Sequence, residues 1–513
     1  MTNFFFNFRR QLIAIAIIAL GLTNTIEAQV LIDGVYYTFS STTATVVANP
    51  DGTKYSGDIV IPDAVTYDGT SYNVKSVGAV FKDSPDLTSL TLGSNCGNCR
   101  GVQGCTSLKS FVWNNNSSSV RGMTLASRYN SAHFFYNCPE LETIVLPGNV
   151  KKIPEQSFDS YDKLKSITLP STCTIIERRA FAYCDSLQNI NLEHVTTIGQ
   201  EAFYWCNLKS INLTNATSIG ESAFYYNRKL SSVIMPETMT DGNLGIGAFS
   251  TCSSISSIKL PNGITTIPKD LFYNCTNLAR VDIPATVTHI EDGAFHLCEN
   301  LPVEQILFEG LEYLGHNNLY RDGAASIYIP STLRYIGCYN LRSYGPVEVT
   351  VAPGNQYFKV VGNILYSSDG KTLYCILGNP TEDFTIDNNT VETVWSHAFI
   401  NSPLTNYNFP NLKEVKCYAF CRTNLSDVTI KKGVKYGENC YYFCDSTLTS
   451  VTIEEGVTEL PTWCFYNCSN LKTPPTIPSS LTKLGPACFA NCGFNYIKLG
   501  KSFNSFGASA LSR

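Results

Sequence analysis

Cysteine is the residue type whose spacing first suggests chemistry. The chain has 20 cysteines. Eight of them share one place, three positions after a phenylalanine: Cys138, Cys184, Cys206, Cys252, Cys275, Cys298, Cys468 and Cys492. Such thiols could bind a metal, form disulfides between neighbours or pack as small buried hydrophobes. Equivalent sites have no natural pairing, and Asn227 and Tyr161 take the same place elsewhere. We therefore expect mainly reduced, packed thiols, with some disulfides as the alternative.

Two further cysteine groups raise the question of metal binding. Pairs four residues apart occur near the C-terminus: Cys417/Cys421, Cys440/Cys444, Cys464/Cys468 and Cys488/Cys492. Residues four apart on a helical turn share one side. Cys96, Cys99 and Cys105 give a single C-x-x-C and a third thiol, whereas structural zinc needs a second pair. No histidine cluster joins either group. The sequence thus predicts no metal and no cofactor. Among Cys96, Cys99 and Cys105 it favours a local disulfide.

Residues of a catalytic centre do not group in the sequence. The six histidines are scattered, and no H-E-x-x-H, G-x-S-x-G, P-loop or dinucleotide-binding motif occurs. Acidic residues are spread singly, so we expect no enzyme. With a net charge of −5 and 15% charged residues, the chain has no polybasic patch, and nucleic acid is a poor candidate partner.

The phenylalanines reveal the element that positions the cysteines. They recur every 21 to 25 residues. The series is Phe135, Phe158, Phe181, Phe203, Phe224, Phe249, Phe272 and Phe295, and then Phe399, Phe420, Phe443, Phe465 and Phe489. Each lies in a repeat of the form I-x-x-x-[AG]-F-x-x-C-x-x-L-x-x-[IV]-x-[IL]-P. The L-x-x-I-x-L alternation predicts a short strand that proline ends, and the I-x-x-x-A-F part suits one helical or 3-10 turn.

One repeat cannot bury its apolar side alone, but stacked repeats form a continuous core. Early degenerate copies occur around Phe81 and Val102, and Leu319 and Leu341 take the phenylalanine position in two weak copies, which brings the count to about seventeen. We expect a leucine-rich repeat solenoid of the α/β type. One parallel sheet of short strands lies on one side, short helical or 3-10 turns lie on the convex side, and a small β-rich N-terminal cap covers the first edge.

The regions outside the repeat set the predicted boundaries. Residues 1–28 have the layout of a secretory signal peptide, with Arg9 and Arg10 before the apolar stretch 12–22 and Ala28 at the end. That stretch is shorter than the roughly 20 residues that span a bilayer. We expect a β-rich cap over 29–75, repeats over 76–513 and a β-hairpin insert at about 353–378. The mature protein is predicted to be secreted or extracellular and cell-surface associated, without a transmembrane segment.

Several of these segments carry a family resemblance. Asp33 to Tyr37, Tyr55 to Pro62, the repeat itself and the insert around Gly362 to Leu373 are similar to BspA-like leucine-rich repeat proteins of bacterial surfaces. That family is best known from Bacteroides relatives and is also found in trichomonads. The resemblance implies a secreted or surface-attached adhesion protein, several of whose relatives bind host matrix or other cells. Unlike many relatives, this sequence shows no obvious C-terminal sorting domain or anchor.

The predicted strands also indicate where a ligand would bind. Side chains facing away from the core should form a concave polar surface: Ser166, Thr168, Asn189, Asn191, Ser210, Asn212, Ser257, Lys259, Arg280 and Asp282. We expect it to bind a protein or glycan, unless these are simply soluble strand residues. Aromatic residues beside the phenylalanine position, such as Tyr183 and Trp205, are expected to cover the core, with ligand stacking as the alternative. A second hypothesis is structural surface assembly without a specific ligand, through an uncapped edge at 505–513.

Overall fold

The computed structural model describes residues 29–319, 326–341, 348–378, 382–444 and 447–512. The predicted signal peptide, residues 1–28, lies outside the described residues. The chain divides into two compact units. The first unit comprises Met1–Lys151 and Ile167–Thr172, and the second comprises Lys152–Ser166 and Cys173–Arg513.

The first unit contains two sheets. One joins, in spatial order, the strands Val30–Ile32, Val35–Ser40, Thr43–Val47, Thr70–Val77 and Ala64–Tyr67, with Asn98–Cys99 alongside Thr70–Val77. The other is parallel and runs through Gly57–Ile61, Leu87–Leu92, Ser110–Trp113 and Thr143–Val145. A 3-10 helix spans Ala79–Phe81. Strands of the predicted cap therefore pair directly with strands of the first repeats.

The second unit is a parallel β-solenoid in which most repeats contribute two strands. The strands of the first series lie at the position of the predicted L-x-x-I-x-L segment and form the strand face: Asn189–Ile190, Ser210–Asn212, Ser232–Ile234, Ser257–Lys259, Arg280–Asp282, Ser326–Ile329, Glu348–Val351, Phe384–Asp387, Leu404–Asn408, Asp427–Ile430 and Ser450–Ile453. The equivalent strand Ser166–Thr168 is divided between the two units.

A second series of two-residue strands ends at the isoleucine that precedes each phenylalanine turn, or at the residue in its place. We call it the short-strand ladder: Lys152–Ile153, Ile175–Ile176, Thr197–Ile198, Ser218–Ile219, Thr266–Ile267, His289–Ile290, Tyr313–Leu314, Tyr335–Ile336, Thr393–Val394, Glu414–Val415, Lys435–Tyr436, Glu459–Leu460, Lys483–Leu484 and Ser505–Phe506. The leucine-rich repeat solenoid is thus confirmed, but the structure refines the single predicted sheet into two parallel series.

The predicted helical turns are almost all non-helical in the described residues, where the only other helix is the 3-10 helix Val303–Gln305. The backbone explains this difference. Residues on both sides of each phenylalanine, such as Arg179 (φ 52°) and Tyr183 (φ 59°), adopt the left-handed conformation, which ends a helix. The freed groups bond between repeats instead: the Phe181 amide donates to the Ala202 carbonyl at 2.8 Å.

Strands also interrupt the repeats where the hairpin insert was predicted. Phe358–Val361, Ile364–Ser367 and Thr372–Ile376 pair in antiparallel order, and the third strand also pairs in parallel with Thr393–Val394 of the short-strand ladder. The turn Ser367 to Lys371 is held by Asp369, whose carboxylate accepts from the Ser367 hydroxyl at 2.6 Å and the Lys371 amide at 2.9 Å. The insert thereby returns the chain to the parallel ladder.

The core of the second unit is a row of stacked, buried phenylalanines. The rings of Phe158, Phe181, Phe203 and Phe224 lie 5.2–5.3 Å apart and within 4° of parallel. Leu319 and Leu341 are also buried, in the positions predicted for them.

One predicted member of the row is wrong. Tyr441, rather than Phe443, stacks between Phe420 and Phe465, at 5.2 and 5.3 Å. Cys440 takes the small position before the ring and Cys444 the position three after it, so the aromatic position falls on residue 441. Phe443 instead lies half-exposed with φ 58°.

Candidate binding surfaces

The cysteines three positions after the core ring form a buried hydrogen-bonding row. Each of these thiols except Cys138 donates to the carbonyl oxygen of the aromatic residue one repeat earlier, and Cys138 donates to the Val102 carbonyl at 3.1 Å. Cys184 reaches Phe158 at 3.0 Å, and Cys298 reaches Phe272 at 3.1 Å. Asn227 takes the place of the cysteine in its repeat, and its side-chain amide donates the equivalent hydrogen bond to the Phe203 carbonyl oxygen at 2.8 Å. This row stacks the repeats and is closed to a ligand.

All 20 cysteines are free thiols in this structure. Cys105 donates to the Phe81 carbonyl at 2.9 Å rather than bonding to Cys96 or Cys99. Three of the four C-terminal pairs belong to two different rows, since one member precedes its core ring and the other lies three after it, as Cys440 and Cys444 do around Tyr441. The described residues contain no group of three His, Cys, Asp or Glu side chains placed to hold a metal ion.

The predicted binding residues lie on the strand Ser166–Thr168 and on or next to strands of the strand face. Thr168, Asn189, Ser210, Ser257, Lys259, Arg280 and Asp282 are exposed, and Ser166, Asn191 and Asn212 are half-buried. Ser257 lies beside Arg280, and Lys259 lies beside Asp282, in parallel register. The structure therefore brings the last four residues of the predicted set together on two adjacent strands.

Charges on this part of the strand face largely pair with one another. The Arg280 Nε lies 2.8 Å from the Asp282 carboxylate, and the Lys259 Nζ lies 3.6 Å from Glu237. These exposed pairs leave little net charge on the face. A ligand there would be held mainly by hydrogen bonds to small polar groups.

The short-strand ladder has a more charged surface. Glu392 accepts ion pairs from Lys413 at 2.7 Å and Lys371 at 3.1 Å, and these contacts lower its pKa. Glu414 is likewise paired with Lys416, which lowers its pKa. Because both signs alternate and the groups are exposed, this surface favours solubility more than anion or cation binding.

A third surface lies beside the phenylalanine turns, and the sequence did not single it out as a site. We call it the aromatic strip, and it comprises Tyr183, Tyr204, Trp205, Tyr225 and Tyr226. These rings were expected to cover the core, with ligand stacking as the alternative, and Tyr183 and Trp205 keep 38% and 39% of their surface exposed. The signal that could have located the strip is the aromatic pair after each of two successive core phenylalanines, Phe203 and Phe224, with the single aromatic Tyr183 in the repeat before them.

These observations define the class of the protein: a repeat protein whose short parallel strands and stacked core rings recur at one period. The model of one protein family, the BspA type leucine-rich repeat region with six copies of the repeat, matches residues 128–243, 217–344 and 380–513. The matches cover more than half of the chain, which therefore belongs to the BspA-type leucine-rich repeat family. Within the described residues, no helix has the length and apolar character needed to cross a membrane.

Several solved structures are similar to the chain. A leucine-rich repeat protein from Bacteroides ovatus is 20% identical, with a TM-score of 0.31, over 94% of this chain and 91% of its own. A leucine-rich cell surface protein from Faecalibacterium prausnitzii is 18% identical, with a TM-score of 0.32, over 92% and 94%. The pneumococcal vaccine antigen PcpA is 13% identical, with a TM-score of 0.26, over 94% and 99%. No curated protein matches the chain.

Proposed function

We propose that the protein is exported and acts at the cell surface or outside the cell by non-catalytic binding, as an adhesion protein toward host, matrix or other cells. The layout of residues 1–28 supports export, and membership of the BspA-type family supports a repeat protein that works by binding. The ligand class is a protein or glycan surface.

The observation that carries this proposal is the register of the strand face. Ser257 and Lys259 stand directly beside Arg280 and Asp282, all four exposed, on neighbouring parallel strands. Adjacent parallel strands lie about 4.8 Å apart, so hydroxyl, ammonium, guanidinium and carboxylate groups recur at a spacing that a polymer can follow. Hydrogen bonds from such groups give specificity without a deep pocket.

The test is ligand capture by the chain that begins at Gln29, on host-matrix protein and glycan arrays. The face variant S257A/K259A/R280A/D282A removes the polar groups without touching the core. Its matched control, T393A/K435A/E459A/K483A, removes a similar set from the short-strand ladder. We expect a captured ligand to bind the face variant about tenfold more weakly or worse, and the control as strongly as the wild type. Silence on both arrays, or equal binding by the three proteins, contradicts the proposal.

Export is tested separately. The full chain and a chain lacking residues 1–28 are expressed in a bacterial host, and the cytoplasm, envelope and medium are probed. We expect only the full chain outside the cytoplasm.

Self-association of the protein stays a prediction, and light scattering that finds only monomers at high concentration would contradict it.

A further inference from the structure

The aromatic strip is a preorganised cluster of rings. Tyr204 and Tyr225 stack at 4.8 Å between centroids and 9° between planes, and Trp205 and Tyr226 stack at 3.7 Å and 18°. Tyr183 meets the edge of Tyr204 at 5.4 Å. Because each ring is held by its neighbour, the strip would lose little side-chain entropy on binding, which is the property that makes tyrosine and tryptophan frequent in binding surfaces.

The backbone beneath the strip is strained. Tyr183, Trp205 and Tyr226 adopt φ values of 59°, 58° and 63° at the second position after the core phenylalanine. Bulky side chains rarely adopt this left-handed conformation, which asparagine tolerates better. Asparagine occupies the same place in other repeats: Asn137, Asn274, Asn467 and Asn491. Three successive repeats thus carry aromatic residues at a position where asparagine recurs elsewhere, although Thr251 and Leu297 show that other side chains also adopt this backbone.

The arrangement of the rings also restricts the ligand. The two stacked pairs cover ring faces with each other, and guanidinium groups lie over Tyr183 (Arg179, 5.6 Å) and Tyr226 (Arg228, 5.3 Å). A sugar ring that binds by stacking needs an open aromatic face. The strip instead presents ring edges, hydroxyls and guanidinium donors, which suit the side chains of a protein.

The two arginines at the ends of the strip differ. Arg179 is engaged by Asp159 at 3.3 Å and Glu201 at 3.6 Å. The Arg228 guanidinium contacts Tyr226, lying over its ring and donating to its hydroxyl at 3.4 Å. A guanidinium stacked on a ring still directs its N–H groups outward, where they match a carboxylate.

We infer that the aromatic strip is a docking site for a protein whose surface carries apolar side chains next to a carboxylate, which Arg228 binds. This inference goes beyond the proposed function, because the strip lies at the phenylalanine turns and uses none of the strand-face residues. The two sites can therefore be tested by separate variants.

The test selects phage-displayed random peptides on the chain beginning at Gln29, with depletion on the variant Y183N/W205N/Y226N. Asparagine accepts the left-handed backbone, so this variant should fold, with a Tm within a few degrees of the wild type. Leu297→Asn is the matched control, since Leu297 holds the same position with φ 59° in a repeat outside the strip. Synthetic peptides of the enriched sequence are then titrated by fluorescence anisotropy.

We expect enriched peptides that combine apolar residues with Asp or Glu. Their affinity should fall about tenfold or more in the triple variant and stay unchanged in Leu297→Asn. Arg228→Ala should weaken binding and remove most of its salt dependence. Any of three results would overturn the inference: no enriched sequence, a folded triple variant that binds as well as the wild type, or glycan-array binding that the triple variant alone loses. A triple variant that no longer unfolds cooperatively would assign the strip a structural role, and overturn it too.

Discussion

The Cys252 thiol donates a hydrogen bond to the Phe224 carbonyl oxygen, 28 positions earlier, over 3.2 Å. One repeat before, the Asn227 amide makes the equivalent bond to Phe203 at 2.8 Å. Thiol and amide share little beyond small size and a proton to donate. The cysteine row therefore connects many of the core aromatic carbonyls to the next repeat, which explains most of the recurring cysteines without a metal or catalytic motif.

Removing one member of the row should destabilise the fold modestly. Cys252→Ala deletes a buried thiol and its bond to Phe224, and we expect a loss of about 1–2 kcal/mol in unfolding free energy. Cys417→Ala, at an exposed thiol, should stay within about 0.5 kcal/mol of the wild type. Urea denaturation followed by circular dichroism measures both. An equal effect of the two substitutions would refute the role of the row.

The thiols should also be protected in the folded protein. Burial raises the pKa of Cys252 and of Cys173 to about 12, and the thiolate is the reactive form. At pH 8 we expect Ellman's reagent to label Cys417 quickly and the buried thiols only as the protein unfolds. In urea without reductant, all 20 cysteines of the chain should react. A lower count would mean that disulfides form after all.

Much of the repeat was predictable because its signals are local. The L-x-x-I-x-L alternation located strands such as Ser257–Lys259 and with them the polar residues of the strand face. The short-strand ladder escaped prediction because two residues, as in Thr197–Ile198, are too few to show an alternation. The left-handed turns escaped it because bonds between repeats hold them, as when the Tyr183 amide donates to the Tyr204 carbonyl at 2.7 Å.

The aromatic strip could also be recognised only from the contacts between repeats. Tyr204 and Trp205 are neighbours in sequence but stack on different rings of the next repeat. Only the register between repeats shows that the rings form one continuous cluster. Spacing alone could find the aromatic residues and could not decide whether they face the core or the solvent.

The alignment of neighbouring repeats also shows that Tyr441, and not Phe443, is the ring in the core row. We expect Tyr441→Ala to cost about 3–5 kcal/mol, because it opens a cavity between two stacked phenylalanines. Its hydroxyl also lies 2.6 Å from that of Tyr407, so Tyr441→Phe should cost about 1 kcal/mol. Phe443→Ala, on the surface, should cost about 1 kcal/mol or less. Thermal unfolding of the three variants measures the order, and a larger loss for Phe443→Ala would place the core ring at residue 443 instead.

His133 gives the first unit a stability that depends on pH. It is buried, and its Nδ1 accepts a hydrogen bond from the Ala126 amide at 3.2 Å, which requires a neutral ring at that atom. Burial, aided by Arg128, lowers its pKa from 6.5 to about 4. Because the unfolded chain takes up the proton first, stability is complete above about pH 6.5 and falls as the pH drops toward 4.

The difference between the two pKa values corresponds to about 3 kcal/mol at full protonation. His133→Gln keeps an acceptor for the Ala126 amide and cannot be protonated, so its own pH profile reports the carboxylates and other groups alone. We expect the wild type to lose more stability than this variant between pH 7 and pH 4.5, with Tm measured at intervals across the range. Only a buried neutral imidazole makes the wild type lose more stability than His133→Gln as the pH falls. If Tm changes with pH in the same way for both proteins, His133 takes up its proton as readily in the folded chain as in the unfolded one.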